Sequence, residues 1–516
     1  MYPGHWALET PNKIAYLLAD TGTEVTYREL NDRSNQCAQM MWAAGLRFGD
    51  HVAVLMDNNA RYLEICWAAQ RMGLHYTAIN WHFTADEAAY IIDDCDAQAL
   101  FVSAGTAKVA SELVASMDRV GLRLSVGIDL DGYARYETTI DQFSAEPVPE
   151  EFEGSPMLYS SGTTGRPKGI KYNVERVPMG KMPNNLVLMT SMFGFNQDSI
   201  YLSPAPLYHS APLFYCMSTL RLGGTVVIME RFDALDALRC IEKFRVTCSQ
   251  WVPTHFVRMF KLTEEERTRY DLSSLVSAVH AAAPCPVEIK HKILDWWGPI
   301  VWEYYSSTEG AGATIVSPHD WLAHPGTVGR SAVGTIHILD DEGAPLPPGE
   351  SGTVWFESAS GRPGFRYHKD DSKTAEAIDT RGWSTVGDMG YLDDEGYLFL
   401  TDRRTFMIIS GGVNIYPQEA ENLLITHPSV YDVAVFGIPD AEMGERVHAV
   451  VQPIDMSHAG PELEQELLAF CHENLAKYKC PQAIDFDAEL PRQPTGKLYK
   501  RLIRDRFWGN HNSRIV

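Results

Sequence analysis

The chain has 516 residues, of which 45% are hydrophobic and 22% charged, and its 67 acidic against 44 basic side chains leave a formal charge of −23. That length exceeds what one hydrophobic core serves, so two or more domains are expected, in a composition ordinary for a soluble globular protein. The acidic balance speaks against nucleic acid or an anionic membrane as the main partner, while leaving room for local basic sites that hold phosphates.

From the N-terminus, helical spacing over 27–45 is followed by a strand-like run over 51–56, a helical stretch over 60–72 and a strand over 74–79. Thr84 caps a further helix to about residue 94, and 99–102 reads as the next strand. Such alternation predicts a parallel or mixed sheet covered by helices. The pattern resumes with a strand over 199–202, a helix over 211–222, a strand over 225–229 and a helix over 233–244. A run at 250–253 leads into another helix, and strand-like runs recur at 278–281 and 300–305. Beyond Gly326, shorter strands punctuated by Gly and Pro, with a turn over 343–349, predict a small β-subdomain.

A boundary is expected near 401–405, dividing the chain into 1–402 and 403–516. Downstream come an apolar run at 407–409, the turn Ser410-Gly411-Gly412, a helix opened by Pro417, strands over 433–436 and 447–451, and a helix from 461 to about 474. The expected fold class is therefore α/β: a large N-terminal domain of helix-covered sheets with a small β-subdomain, then a small α+β C-terminal domain.

No apolar run approaches the roughly 20 residues that span a bilayer. The first residues, Met1-Tyr2-Pro3-Gly4-His5-Trp6, lack the basic-then-apolar order of a secretory signal. Nine dispersed cysteines without a Cys-x-x-Cys pair read as reduced core thiols, so the cytoplasm is the expected location.

Four segments carry chemistry. The first, Tyr159-Ser160-Ser161-Gly162-Thr163-Thr164-Gly165-Arg166-Pro167-Lys168-Gly169, follows a short apolar run. Glycines let backbone N–H groups curl round an anion, hydroxyls add donors and the lysine adds a point charge, which suits a nucleoside triphosphate. The spacing is not that of a P-loop, so phosphate binding here need not mean phosphoryl transfer. Taken alone, the same composition also describes a solvated linker.

The second segment, Tyr304-Tyr305-Ser306-Ser307-Thr308-Glu309-Gly310, follows a buried strand. Tyr305 can stack on a purine and Glu309 can hold magnesium among phosphates, or the strand can simply end in a helix cap. In the third, Trp383-Ser384-Thr385-Val386-Gly387-Asp388-Met389-Gly390, an aspartate in a Gly-flanked turn suits two ribose hydroxyls or a plain Asx turn. The fourth, Pro491-Arg492-Gln493-Pro494-Thr495-Gly496-Lys497, presents a lysine from an irregular loop.

Together and in this order, the four segments resemble the adenylate-forming superfamily of acyl- and aryl-CoA synthetases, luciferases and peptide-synthetase adenylation domains. The resemblance runs from about Tyr27 to Arg501. It implies conversion of a carboxylate and ATP into an acyl-adenylate and pyrophosphate, then transfer of the acyl group to an acceptor, usually a thiol. It also implies roles. Ser161, Gly162, Thr163, Thr164, Gly165 and Lys168 would wrap the β- and γ-phosphates. Ala282, Ala283 and Pro284 would flank one face of adenine and Tyr305 the other. Thr308 would contact a phosphate, Glu309 the magnesium ion, and Asp388 the ribose with help from Arg403. Lys497 would offset the charge between carboxylate and α-phosphate, because two anions repel unless a cation intervenes. The small domain would rotate after adenylation, withdrawing Lys497 and bringing Gly411 and Gly412 to a pantetheine tunnel.

Two positions depart from the family pattern: Ser306 stands where glycine usually follows the stacking tyrosine, and Thr405, followed by Phe406, stands where the hinge usually carries Asp or Lys. Pro206-Leu207-Tyr208-His209-Ser210 resembles the segment lining the carboxylate pocket, with His209 near the reacting carboxyl. No aspartate lies between Pro206 and Phe214, so the amine of an amino acid would lack a charge partner. Trp251, Val252, Thr254, His255 and Ala281 to Ala283 suggest a largely apolar pocket for a fatty, aryl or cyclic acid. The expected protein is an acyl-CoA synthetase using ATP, Mg2+ and coenzyme A, with no nucleic-acid partner, and a homodimer is compatible with that reading. A luciferase-like oxygenase or a noncatalytic AMP- or acyl-binding sensor are the alternatives.

Overall fold

The computed structural model describes residues 1–160, 167–172, 175–181, 192–359, 361, 364–403, 406–411, 413–440, 442–492 and 498–508. They form two compact units. One comprises Met1–Trp251, Arg258–Val279 and Gly364–Ala375, and the other Val252–Val257, His280–Pro363 and Glu376–Val516.

The first unit is built on a six-stranded, wholly parallel sheet in the order Ala134–Arg135, Leu122–Val126, Ala97–Ser103, His51–Leu55, His75–Ala78, Ser155–Pro156. Parallel strands are buried on both faces, which is why His51–Leu55 and His75–Ala78 have no exposed residue. The helix Ala85–Asp94 starts at a capping box, with Thr84 and Glu87 exchanging side-chain and backbone hydrogen bonds. It buries Ala88, Ile91 and Ile92, spaced as one helical stripe, against Leu55, Leu100 and Val102 of the sheet. Each buried Leu or Ile there contributes about 1.5–3 kcal/mol relative to exposure.

Five consecutive strands of a second sheet lie in this unit in the order Cys248–Trp251, Ile200–Ser203, Thr225–Ile228, Ile14–Leu18, Glu24–Thr26, parallel except at the last pair. A smaller antiparallel sheet joins Leu158–Ser160, Lys168–Tyr172 and Phe365–Tyr367.

In the second unit, Val301–Ser306 pairs antiparallel with Ala313–Val316, which pairs with Arg330–Val333. Beside these lies the expected β-subdomain, an antiparallel sheet in the order Thr335–Leu339, Gly352–Glu357, Asp388–Leu392, Leu398–Arg403. The C-terminal α+β domain has long antiparallel strands Val430–Asp440 and Gly444–Pro453, with Ile408–Ser410, Val413–Ile415 and Ile484–Phe486 completing its sheet. The helices Pro417–Leu424 and Pro461–Asn474 cover it, burying Ala420, Leu424, Leu463 and Leu467 in one core.

Candidate active site

In the first unit, the glycine-rich segment connects two strands that lie side by side. Ser160 is in register with Lys168 and Tyr159 with Gly169, so the strands flanking the segment pair as one antiparallel hairpin. Both ends of that hairpin are held. The Tyr159 hydroxyl donates to Asp94 at 2.5 Å, and the Tyr90 hydroxyl donates to the Pro167 carbonyl at 3.3 Å. Gly169 permits the close approach, since a Cβ there would sit 2.7 Å from Met157 and 3.0 Å from the Tyr159 ring. Lys168 Nζ lies 5.5 Å from the centre of the Tyr367 ring, a cation–π contact. Ser161, Gly162, Thr163, Thr164 and Gly165 lie outside the described residues.

The segment before the helix Ser210–Leu222 is held by a residue the sequence reading missed. Asn58 accepts a hydrogen bond from the Leu207 N–H at 2.9 Å and donates to the Met229 carbonyl at 2.9 Å. A polar residue just beyond a buried parallel strand was the available signal, because ligands gather at carboxyl ends. His209 occupies the N-cap position in extended conformation, its ring 4.1 Å from that of Tyr208. Trp251 is wholly buried, and its indole N–H donates to Ser249 at 2.7 Å.

In the second unit, Thr254 buries a hydroxyl that meets no hydrogen-bond partner among the described residues. Ala281 is buried, whereas Ala282, Ala283 and Pro284 are exposed and free to flank a ligand. Ala282 takes φ +76°, a left-handed conformation that costs a residue with a Cβ roughly 1–2 kcal/mol.

The strand Val301–Ser306 does not end in a helix cap. It turns through 307–312 into the antiparallel strand Ala313–Val316. Ser306 explains the closure, because its hydroxyl donates to the Gly312 carbonyl at 2.8 Å across the base of the loop. Gly312 in turn lies flat on Phe356, leaving no room for a Cβ. This loop carries Thr308 and Glu309, the latter 8% exposed.

Asp388 lies at a strand start rather than inside a turn. It opens the strand Asp388–Leu392 after Gly387, at φ +80°. Thr385 fixes the approach by donating to the Val354 carbonyl and accepting from the Gly387 N–H. The Tyr305 hydroxyl donates to Asp388 Oδ2 at 2.7 Å, joining two of the predicted residues across 83 positions of sequence. Arg403 stands opposite Asp388 in the strand register.

Gly411 turns the hairpin between Ile408–Ser410 and Val413–Ile415 at φ +55°, and a Cβ there would meet Met443 at 2.4 Å. Gly412, Thr405 and Lys497 lie outside the described residues. Among the described residues no group of three or more His, Cys, Asp or Glu gathers to hold a metal ion.

Residues 4–365 match the family model described as AMP-binding enzyme, and residues 419–497 match AMP-binding enzyme C-terminal domain. The chain belongs to the AMP-binding enzyme family. Its resemblance to adenylate-forming enzymes thus rests on most of its length. AMP-binding relatives include a feruloyl-CoA synthase of Amycolatopsis, 34% identical over 493 residues and 94% of each chain. A long-chain-fatty-acid–CoA ligase of Mycobacterium tuberculosis is 30% identical over 506 residues, covering 97% of each. Among solved structures, o-succinylbenzoate CoA synthetase from Bacillus subtilis in complex with its acyl-adenylate intermediate superposes with TM-score 0.81 at 26% identity, covering 98% of this chain and 97% of that one. The mixed α/β architecture with a smaller C-terminal domain is the one this AMP-binding family shares.

Proposed function

We propose that the protein is an AMP-forming carboxylic acid–CoA ligase that activates an apolar fatty, aryl or cyclic acid. The observation that carries this reading is the Tyr305–Asp388 hydrogen bond. It makes an aromatic face suited to adenine and a carboxylate suited to ribose hydroxyls into one rigid unit. Relatives named as feruloyl-CoA, long-chain-fatty-acid–CoA and 2-succinylbenzoate–CoA ligases support the ligase over an oxygenase or a sensor.

In the proposed reaction, a carboxylate oxygen attacks the α-phosphorus, the bond to the oxygen bridging to the β-phosphate breaks, and pyrophosphate leaves. Thr163, Thr164 and Lys168, with Ser161, Gly162 and Gly165, hold the departing phosphates. Ala282, Ala283 and Pro284 face the adenine opposite Tyr305, and Asp388 with Arg403 holds the ribose. Glu309 and the Thr308 hydroxyl supply hard oxygen donors that fit magnesium, which takes few protein ligands and completes its shell with water and phosphate oxygens. Bound there, the ion would neutralise charge on the polyphosphate.

Lys497 balances the carboxylate and the α-phosphate as they approach. His209, Trp251, Thr254 and Ala281 belong to the acid pocket. The thiol of coenzyme A then attacks the acyl carbonyl carbon and AMP departs, with Gly411 and Gly412 bordering the pantetheine path. We carry forward the division at 402/403, with the small domain as a mobile lid that delivers and then withdraws Lys497. A cytoplasmic location accords with nine free cysteines, eight of them buried, and with the described helices, none of which is long and apolar enough to cross a membrane. A homodimer is compatible with this reading.

Acid-dependent exchange of pyrophosphate into ATP, measured across aryl, fatty and cyclic acids, tests the proposal. Exchange with at least one acid, and thioester product once coenzyme A is added, is expected. Absence of exchange with every class overturns it.

A further inference from the structure

Three buried side chains come from the elements next in sequence to the two segments assigned to adenine. His280 ends the strand Ser277–His280, immediately before Ala281 to Pro284, and is fully buried. Glu303 lies two residues before Tyr305 on Val301–Ser306 and is 4% exposed. Lys290 comes from the helix Val287–Trp297, which starts three residues beyond Pro284, and is also fully buried. Lys290 Nζ and His280 Nε2 each lie 3.3 Å from Glu303 Oε2, and Lys290 bonds to the His280 ring nitrogen as well. One ammonium, one carboxylate and one imidazole thus tie the strand before one face, the helix after it, and the strand carrying the other.

Such an anchor has a task here. Ala282 holds a left-handed backbone that persists only where its surroundings over-determine it. A cavity of about 340 Å3 opens beside the segment after Ala283, lined in part by Pro284, Cys285, Glu303 and Trp321. Charges are costly to bury and are rarely retained for stability alone. Burial and the neighbouring Lys290 hold His280 below the ordinary histidine range. Burial pushes the Glu303 carboxyl up, but His280 and Lys290 outweigh it and hold the group below its ordinary value, ionised against Lys290.

We infer that His280, Lys290 and Glu303 are positioning residues that set the separation of the two adenine-binding faces, and so the affinity for the adenosine part of ATP. The inference rests on the nucleotide assignment proposed above. Its test is AMP binding by titration calorimetry, alongside the KM for ATP and for the acid, in Glu303→Gln, Glu303→Asp and the double variant K290M/E303Q. The double variant removes both charges together, because a single neutralisation leaves an unpaired buried charge and can unfold the chain.

Glu303→Gln and the double variant are expected to weaken AMP binding and raise the KM for ATP about tenfold, equivalent to about 1.4 kcal/mol. The KM for the acid should stay within about twofold, and Glu303→Asp should recover part of the loss. Wild-type AMP affinity in the folded double variant, with only a lower melting temperature, overturns the inference and leaves the trio as packing. Tyr305→Ala separates the two levels. If the wild-type protein binds no AMP, or Tyr305→Ala binds it unchanged, the nucleotide assignment itself falls.

Discussion

Tyr305 is asked to do two things with one ring. Its face packs beside Phe356, ring centres 6.2 Å apart, over the core of the β-subdomain, while its hydroxyl holds Asp388. Tyr305→Phe keeps the face and removes the donor, leaving a buried carboxylate short of one charge-assisted hydrogen bond, typically about 1.5–3 kcal/mol. The expected result is a KM for ATP raised by about tenfold or more with little change in the KM for the acid, measured by initial rates. An unchanged KM for ATP would separate Asp388 from nucleotide binding. Neither residue signalled the other in the sequence. Tyr305 was legible as an aromatic at a strand end, but its partner is 83 positions away and only the fold brings it near. Lys290 does leave a trace in the sequence, a lysine in the apolar stripe formed by Ile289, Ile293 and Leu294.

At the scale of elements, the hairpin carrying the glycine-rich segment is backed by three imidazoles. His51 and His75 face each other on adjacent parallel strands, ring centres 4.6 Å apart, and His368 lies 5.8 Å from His51. Lys171, on the strand leaving the loop, bonds to His51 at 3.0 Å, while Arg366, Lys369, Asp94 and Asp96 supply the surrounding charges. Burial, then Lys171, pushes His51 down to about 3 and His75 to about 4.

The unfolded chain binds protons on these groups near pH 6.5, whereas the folded chain resists them down to about 3 to 4. Their contribution to stability is therefore complete above pH 6.5 and is lost as pH falls from there toward 4. Thermal unfolding between pH 7 and 4.5 is expected to show a falling melting temperature. A His51→Gln, His75→Gln variant should take up about two fewer protons on unfolding near pH 5. An unchanged proton uptake would show that the two histidines titrate normally in the fold.

The same scale shows what the sequence displayed. Thr84 and Glu87 mark a helix start because a capping box is local chemistry. The helix cap that the segment after Tyr305 also allowed does not form, because Ser306 bonds to Gly312 and closes a hairpin instead. Leu122–Val126 carries a weak strand signal because Arg123 interrupts its apolar run, though its register places it in the parallel sheet.

At the scale of the whole molecule, a chain of net charge −23 must gather a polyphosphate and a carboxylate, both anions, at one place. Alternating helix and strand patterns revealed the layered α/β plan, since each layer needs its own hydrophobic period. The four ordered motifs pointed to adenylation, and two family-model matches over 4–365 and 419–497 place the chain in the AMP-binding enzymes. The acid remained illegible because its pocket is assembled from scattered apolar side chains without a local pattern.

The central claim is that the loop's phosphates are the leaving group and that the α-phosphorus is the atom attacked. Its most direct test uses an acid whose carboxylate carries a heavy oxygen isotope, with ATP and coenzyme A, and mass analysis of the nucleotide and phosphate products. One labelled oxygen is expected in AMP, with unlabelled pyrophosphate. Label in orthophosphate together with ADP would mean attack at the γ-phosphorus and would contradict it.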